Sequence, residues 1–492
     1  MPTADTQKNT DNLSLSVFIR GLPLCLSVFI CVHLWPSSVA FIRGRNCGKL
    51  MRTMTVRTLV ISLPAIFVAS AMLSAQAPVS RIEQETAKVT PAVTEIRHQI
   101  HQNPELSNRE EKTAALIADY LKKLGLEVQT GVAHHGVVAL LKGGLPGPVV
   151  AVRADIDALP VTEQTSLPFA STVRTTYLGQ EVGVMHACGH DIHTAVQLGV
   201  ASVLTAMKAN VPGTIKFIFQ PAEEGAPPGE TGGASLMVKE GVLDNPRPSA
   251  IFGLHAFSEM AVGDIGYSEG PALSAADTWE VKITGRQAHG ARPELSIDPI
   301  VTAAQFVEAL QTIRSRSFSG YEPGVVTIGT IHGGQRHNII PGDVTLTGTI
   351  RTFRPEMSTL AEQRLRAILK GVTEAAGATG EVVRYERGAP ATINNPQLTR
   401  ATVPSLERAV GKAHVSQIPP AMGSEDFSFF ANEVPGFFYR LGQVKPGTTS
   451  GDHHTPTFLA DDGAIPVGVK TMSIVILDYL SRGSTTGSSQ MK

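Results

Sequence analysis

The chain has 492 residues, more than one ordinary domain needs and enough for two or three. Charged residues make up only 17% of it, and 42 Lys plus Arg against 43 Asp plus Glu leave a net charge of -1. That balance excludes an acidic disordered chain and a strongly basic nucleic-acid binder, and with no collagen period, long heptad run or cysteine-rich scaffold it leaves a globular α/β protein.

The first stretch reads as something other than fold. SVFIRG, SVFI and VAFIRG recur between residues 16 and 44. Residues 51–77 then carry Arg52 and Arg57, an apolar run from Leu59 to Met72, and the small-x-small triplet Ala75-Gln76-Ala77. These are the three parts of a secretory signal peptide. The apolar run falls short of the roughly 20 residues of a spanning helix. The expectation is that Met51 is the true start, that 1–50 is upstream read-through, and that the protein is exported, periplasmic or secreted. An uncleaved leader would instead anchor it to the membrane. Cys25, Cys31 and Cys47 lie in this leader, so Cys188 stands alone after residue 77 and has no partner for an internal disulfide.

Next come two stretches with helical apolar spacing, 91–103 and 109–124, the second followed by Gly125 as a C-cap. Short β-branched runs at Val137 to Leu141 and Val149 to Val152 predict strands. A helix is expected over 191–208, and buried strands at Ile215 to Phe219 and Ile251 to Leu254. This alternation predicts a sheet with helices on both faces. From 277 the pattern changes. Strands at Trp279 to Ile283, Val325 to Ile331, Val344 to Ile350 and Glu381 to Tyr385, with helices at Pro299 to Ile313 and Met357 to Ala375, spell β-α-β-β-α-β, the ferredoxin-like unit. We read 78–276 and 391–482 as two parts of one catalytic domain and 277–390 as an inserted domain. Helical segments at 396–411 and 463–481 return to the first domain, and 483–492 is expected to be a disordered tail.

Polar clusters fall at the ends of these strands, where sites of open α/β sheets form. The densest is His186-Ala-Cys188-Gly-His190-Asp191-Ile-His193. Cys188 and His190, at i and i+2, can address one ion from an extended turn, and thiolate with imidazole suits zinc and its neighbours. Gln220-Pro-Ala-Glu223-Glu224-Gly225 places two carboxylates after a strand, one to bind metal and one to take a proton from water. Arg153-Ala-Asp155-Ile-Asp157 offers ligands or their supports. His255 follows another strand, and His453-His454-Thr-Pro456 lies in a late loop. Cys188, His190, Glu224, His255 and His454 are more donors than one tetrahedral zinc uses and enough for two ions, a pair suited to amide hydrolysis.

RHQIHQNPELS (97–107), RADIDALPVTE (153–163), MHACGHDIHTA (185–195), FQPAEEG (219–225) and RHNIIPG (336–342) resemble the amidohydrolase branch of the aminoacylase-like metallopeptidases. That branch includes hippurate hydrolases, N-acyl-L-amino acid amidohydrolases and auxin-conjugate hydrolases. The likeness covers about residues 90–480. It implies a two-metal aminopeptidase-like catalytic domain, a mixed sheet with helices on both faces, carrying an inserted ferredoxin-like α+β domain. It implies Cys188, His190, Glu224, His255 and His454 as ligands of two divalent ions, zinc or manganese. His454 is chosen over His453 because the family's histidine stands two residues before the proline. The resemblance further implies Glu223 as general base, Asp157 as the residue orienting the metal site, and His289 of GRQAHGARP as the group on the scissile carbonyl. Asn338 and Arg351 would hold the substrate carboxylate, Arg through its fork of donors. Many relatives have a second histidine where this chain has Glu294. The expected activity is release of a carboxylic acid and a free amino acid from N-acyl amino acids, with no nucleic-acid partner and a homodimer formed through the inserted domain. The rivals are a dipeptidase or carboxypeptidase on the same scaffold, for which no clear acidic anchor for a free amine is visible, and a non-catalytic metal- or peptide-binding protein, against which the Glu223-Glu224 pair argues.

Overall fold

The computed structural model describes residues 78–487, with side chains through Arg482. The readings of 1–50 and of the signal peptide at 51–77 lie outside the described residues.

The chain enters through α1 (Val79–Gln102), which buries Ile82, Val93, Arg97, Ile100 and His101 along one stripe. Pro91 sits inside this helix, so the segment expected from residue 91 starts a dozen residues earlier. Then follow α2 (Glu111–Lys123), β1 (Glu127–Val132), β2 (Gly136–Lys142) and β3 (Leu145–Asp155), whose last six residues are all buried. The helix α3 (His190–Ala206) is buried almost all round. Beyond it come β4 (Pro212–Gln220), β5 (Ile251–Ala261) and β6 (Ile265–Tyr267). The expected strand at 251–254 therefore runs on through His255, because residues 255–261 pair with a strand near the C-terminus.

A separate sheet follows. It is made of β7 (Ala275–Thr284), β8 (Gly324–Gly333), β9 (Asp343–Thr352) and β10 (Thr379–Arg387), with helices α4 (Pro299–Leu310) and α5 (Pro355–Ala376). Its order β8-β9-β7-β10 is antiparallel throughout, the ferredoxin-like arrangement. Asp298 caps α4 by accepting the N–H of Ile300 at 2.9 Å, ahead of Pro299 in the first turn. Trp279, Val281, Ile283, Phe306, Leu346, Leu365 and their neighbours form a core of their own.

The chain returns through α6 (Pro396–Val410), β11 (Val415–Gln417), β12 (Gly436–Val444) and α7 (Ala464–Gly487). The main sheet is ordered β1-β2-β4-β3-β5-β12-β6-β11. Its centre, β4-β3-β5-β12, is parallel, and β1 and β2 add antiparallel at one edge. One face packs on α1, α3 and α7, and the other on short helices carrying Met237, Phe427 and Phe430. α7 is long and apolar enough to cross a membrane, yet Ile465, Val469, Met472, Ile476 and Leu480 are buried in the core. Where α3 meets α7, a side chain at Gly199 would strike Val469 at 2.5 Å, so glycine permits the close crossing. The tail expected to be disordered from 483 continues α7 as far as Gly487. A helix nucleated by its buried part extends at the cost of ordering one residue at a time.

Candidate metal centre

Four segments converge at the carboxyl end of the parallel strands. Cys188 and His190 flank Gly189, which adopts φ +88 at the start of α3. A Cβ there would lie 3.2 Å from Gln443 Oε1 and 3.3 Å from Ala256 Cβ. After β4 the chain turns at Ala222, with φ +52, a strained value for a residue with a Cβ. The Ala222 N–H donates to Glu110 Oε1 at 2.8 Å, which fixes the turn that presents Glu223 and Glu224. His255 projects from β5. His454, with φ +64, is held by its own N–H donating to Ala187 O at 2.8 Å.

These segments bring the expected donors together. Cys188 Sγ lies 3.4 Å from His255 Nε2, and His454 Nε2 lies 3.1 Å from Glu224 Oε1. His190 Nε2 is 3.8 Å from Glu223 Oε2 and 3.9 Å from Glu224 Oε1. Donor atoms of Cys188, His190 and His255 lie within 4.8 Å of one another, as do those of Cys188, Glu224 and His454, so Cys188 is common to both sets. His190, Glu223 and Glu224 form a third set. Asp157 sits behind them. Its Oδ2 accepts from Ser107 Oγ at 2.7 Å and from the Glu224 N–H at 3.1 Å, while His190 Nδ1 lies 2.9 Å from its backbone oxygen. One residue of the histidine-rich motif is engaged elsewhere. His193 Nε2 accepts the Ala256 N–H at 2.7 Å, so its proton is on Nδ1, facing Asp155 Oδ1 at 2.5 Å. Both ring nitrogens of His193 are therefore committed.

Comparison with known proteins agrees with this geometry. The model of Peptidase family M20/M25/M40 matches residues 151–478. Thermostable carboxypeptidase 2 of Saccharolobus solfataricus is 35% identical over 82% of this chain and 99% of its own length. N-acetyl-L-cysteine deacetylase of Bacillus subtilis is 38% identical over 75% of this chain and 84% of its own. A Bacillus subtilis crystal structure described as a dinuclear metal binding peptidase of the M20 family superposes with a TM-score of 0.67 at 33% identity, covering 80% of this chain and 99% of that one. The chain belongs to peptidase family M20/M25/M40. It is a metal-dependent hydrolase, with the two-domain fold of its dinuclear relatives.

The electrostatics of this M20 centre suit divalent ions. Burial, then the carboxylates of Glu224, Glu223 and Asp155, push the Cys188 thiol far up. Burial, then Glu425, Glu224 and Asp426, hold the Glu223 carboxyl well above its usual range, against the pull of Arg153. Burial opposes charge on His190, but Asp155, Asp157 and Glu224 outweigh it and raise the ring to about 10. Negative groups crowded in low dielectric keep protons they would otherwise lose, and a bound cation reverses that logic. Among the described residues, His190 Nε2 is buried without a hydrogen-bond partner. A thiol, imidazoles and a carboxylate around an orphaned nitrogen are a donor set that zinc or manganese fits.

The structure adds supports that the motifs did not announce. Arg153 is fully buried and donates to Gln220 Oε1, Asp155 Oδ2 and Asp426 Oδ1 at 2.7, 2.7 and 2.9 Å, with Glu425 also at 2.9 Å. Glu425 and Asp426 stand within 4.8 Å of Glu223. On the α1 side, Asp191 Oδ2 accepts from Arg97 at 2.8 Å and His101 at 2.9 Å, and Arg97 reaches Asp462 at 2.5 Å. Glu425 and Asp426 belong to Gly-Ser-Glu-Asp, an acidic pair after a glycine that only its counterpart Arg153 could have flagged.

The residues expected from the inserted domain are placed differently. His289 and Asn338 meet on a short ribbon, where His289 pairs with Ile339 and the Gly290 N–H donates to Asn338 O at 2.8 Å. Both side chains are exposed. Arg351, half-buried on β9, donates to Met422 O at 3.1 Å, three residues before Glu425. Among the described residues, no hydrogen bond or ion pair links these three to the donor sets. Glu294, at the position of the missing second histidine, is exposed beside Arg292.

Proposed function

We propose that the protein hydrolyses N-acyl amino acids, releasing a carboxylic acid and a free amino acid. The observation that carries this reading is Glu223. A site that only stores metal has no use for a second, nearly buried carboxylate 3.8 Å from His190 Nε2 and next in sequence to a ligand carboxylate. In this reading Cys188, His190 and His255 would hold one ion and Cys188, Glu224 and His454 the other. Bound zinc or manganese would polarise the amide carbonyl and make water acidic. Glu223 takes the proton of the attacking water and hands it to the leaving amine. Asp157 fixes the His190 ring and the Glu224 backbone. His289 donates to the oxyanion once the inserted domain closes on substrate. Asn338 and Arg351 bind the free carboxylate, with Arg351 already steadied on Met422. The relative described as an N-acetyl-L-cysteine deacetylase supports the acyl class. The leader at 51–77 supports export. The edge strand β8, paired on one side only among the described residues, supports a homodimer through the inserted domain.

A second reading, cleavage of a C-terminal residue from peptides, is favoured by the similarity to a thermostable carboxypeptidase. Amino acid release from a panel of N-acyl amino acids, dipeptides and blocked peptides, with the protein loaded with zinc or manganese, separates the two. Release from the acylated amino acids but not from peptides is the expected result. Release from peptides alone would transfer the assignment to the carboxypeptidase.

A further inference from the structure

His453, adjacent to His454, is not among the donor sets, yet it is built into the centre. Its ring is walled by Phe257, Phe458 and His255, with centroids at 5.4, 5.1 and 5.4 Å. Phe257 is in turn covered by the Arg440 guanidinium, 4.5 Å from the ring centroid. The Ser258 N–H donates to His453 Nε2 at 3.2 Å. A backbone amide can only donate, so Nε2 offers its lone pair and the proton of the neutral ring resides on Nδ1. That Nδ1–H stands 3.6 Å from Cys188 Sγ, within N–H···S range. The same protonation removes Nδ1 as a ligand, leaving the position to His454.

We propose that His453 is a positioning residue that donates its Nδ1–H to the Cys188 thiolate and thereby sets how strongly that sulfur binds metal. The inference rests on the reading of Cys188 as a ligand. Cys188 is the donor common to both sets, so a hydrogen bond to it acts on both positions at once. A hydrogen bond stabilises the sulfur lone pairs and withdraws charge from the metal–sulfur bond. A thiolate weakened in this way discriminates less in favour of thiophilic zinc over manganese, which prefers oxygen donors.

The test uses the full chain, wild type, His453→Phe and His453→Asn, each stripped and loaded with Co²⁺. Phe keeps a ring within the aromatic wall and removes the donor, while Asn places an N–H near the position of Nδ1. The readout is the near-ultraviolet thiolate-to-cobalt charge-transfer band, together with zinc–manganese competition by equilibrium dialysis. The expected result is a band shifted to lower energy in His453→Phe, a preference for zinc over manganese raised about tenfold, and restoration of both in His453→Asn. An unshifted band and unchanged preference in His453→Phe would overturn the proposal and leave His453 a packing residue. The absence of any thiolate band in loaded wild type would overturn the ligand reading itself, a distinct failure.

Discussion

The donor sets on the main sheet and the groups proposed to meet substrate on the inserted domain differ in how finished they are. At the end of the main sheet the side chains are buried and bonded several times over. Arg153 alone engages Asp155, Gln220, Glu425 and Asp426, and Asp191 ties α1 to α3. On the inserted domain His289 and Asn338 are exposed, and the His289 ring is held locally, its Nδ1 accepting the Ala291 N–H at 3.0 Å. The first is shaped before anything binds, which suits groups that must hold ions and time a proton transfer. The second is exposed and tied only to its own loop, which suits the substrate-meeting role proposed for it.

Four substitutions or titrations sharpen that contrast, the largest effect first. Glu223→Gln should lower turnover by about 10²–10⁴-fold while the protein still folds and takes up metal, as measured by steady-state kinetics and metal analysis. Near-normal turnover would remove Glu223 from the base role. Arg153→Met should destabilise the fold by about 3–5 kcal/mol in urea unfolding, because it strands buried carboxylates without their cation. His289→Ala should cost about 10²–10³-fold in turnover with no change in unfolding midpoint, the reverse pattern to Arg153→Met. The smallest effect concerns pH. Burial opposes charge on His101, but Asp191 and Glu163 outweigh it and raise the ring to about 9. A folded-state value above the unfolded one contributes stability that is complete below the unfolded pKa and is lost as pH rises through about 9. Stability to urea should therefore fall between about pH 7 and pH 10 by up to about 3 kcal/mol, and His101→Gln should flatten that dependence.

Much of this was legible in the sequence for a physical reason. Candidate groups that share a turn, as the proposed ligands Cys188 and His190 do and as the proposed base Glu223 does with Glu224, are written side by side, and their strands carry unbroken apolar runs. The ferredoxin-like order was legible because its strands alternate with helices of clear 3.6-residue spacing. What stayed hidden was non-local. β12, Gly-Phe-Phe-Tyr-Arg-Leu-Gly-Gln-Val, is central to the sheet but follows a long stretch with no helical rhythm to frame it. Arg153 reads as one more strand residue until Asp426, 273 positions away, comes within 2.9 Å. His453 and His454 differ in the string only by their distance from Pro456, which the family resemblance uses to choose His454. The partners Ser258 and Glu224 give each histidine its own setting.

The central claim is that two donor sets sharing Cys188 make one hydrolytic centre. It is tested most directly by titrating metal-free protein with zinc or manganese while following amino acid release from an N-acyl amino acid. The account predicts no release without metal and a rise that levels off at two ions per chain. Full activity in the stripped protein, or a plateau at one ion with Cys188→Ser still active, would contradict it.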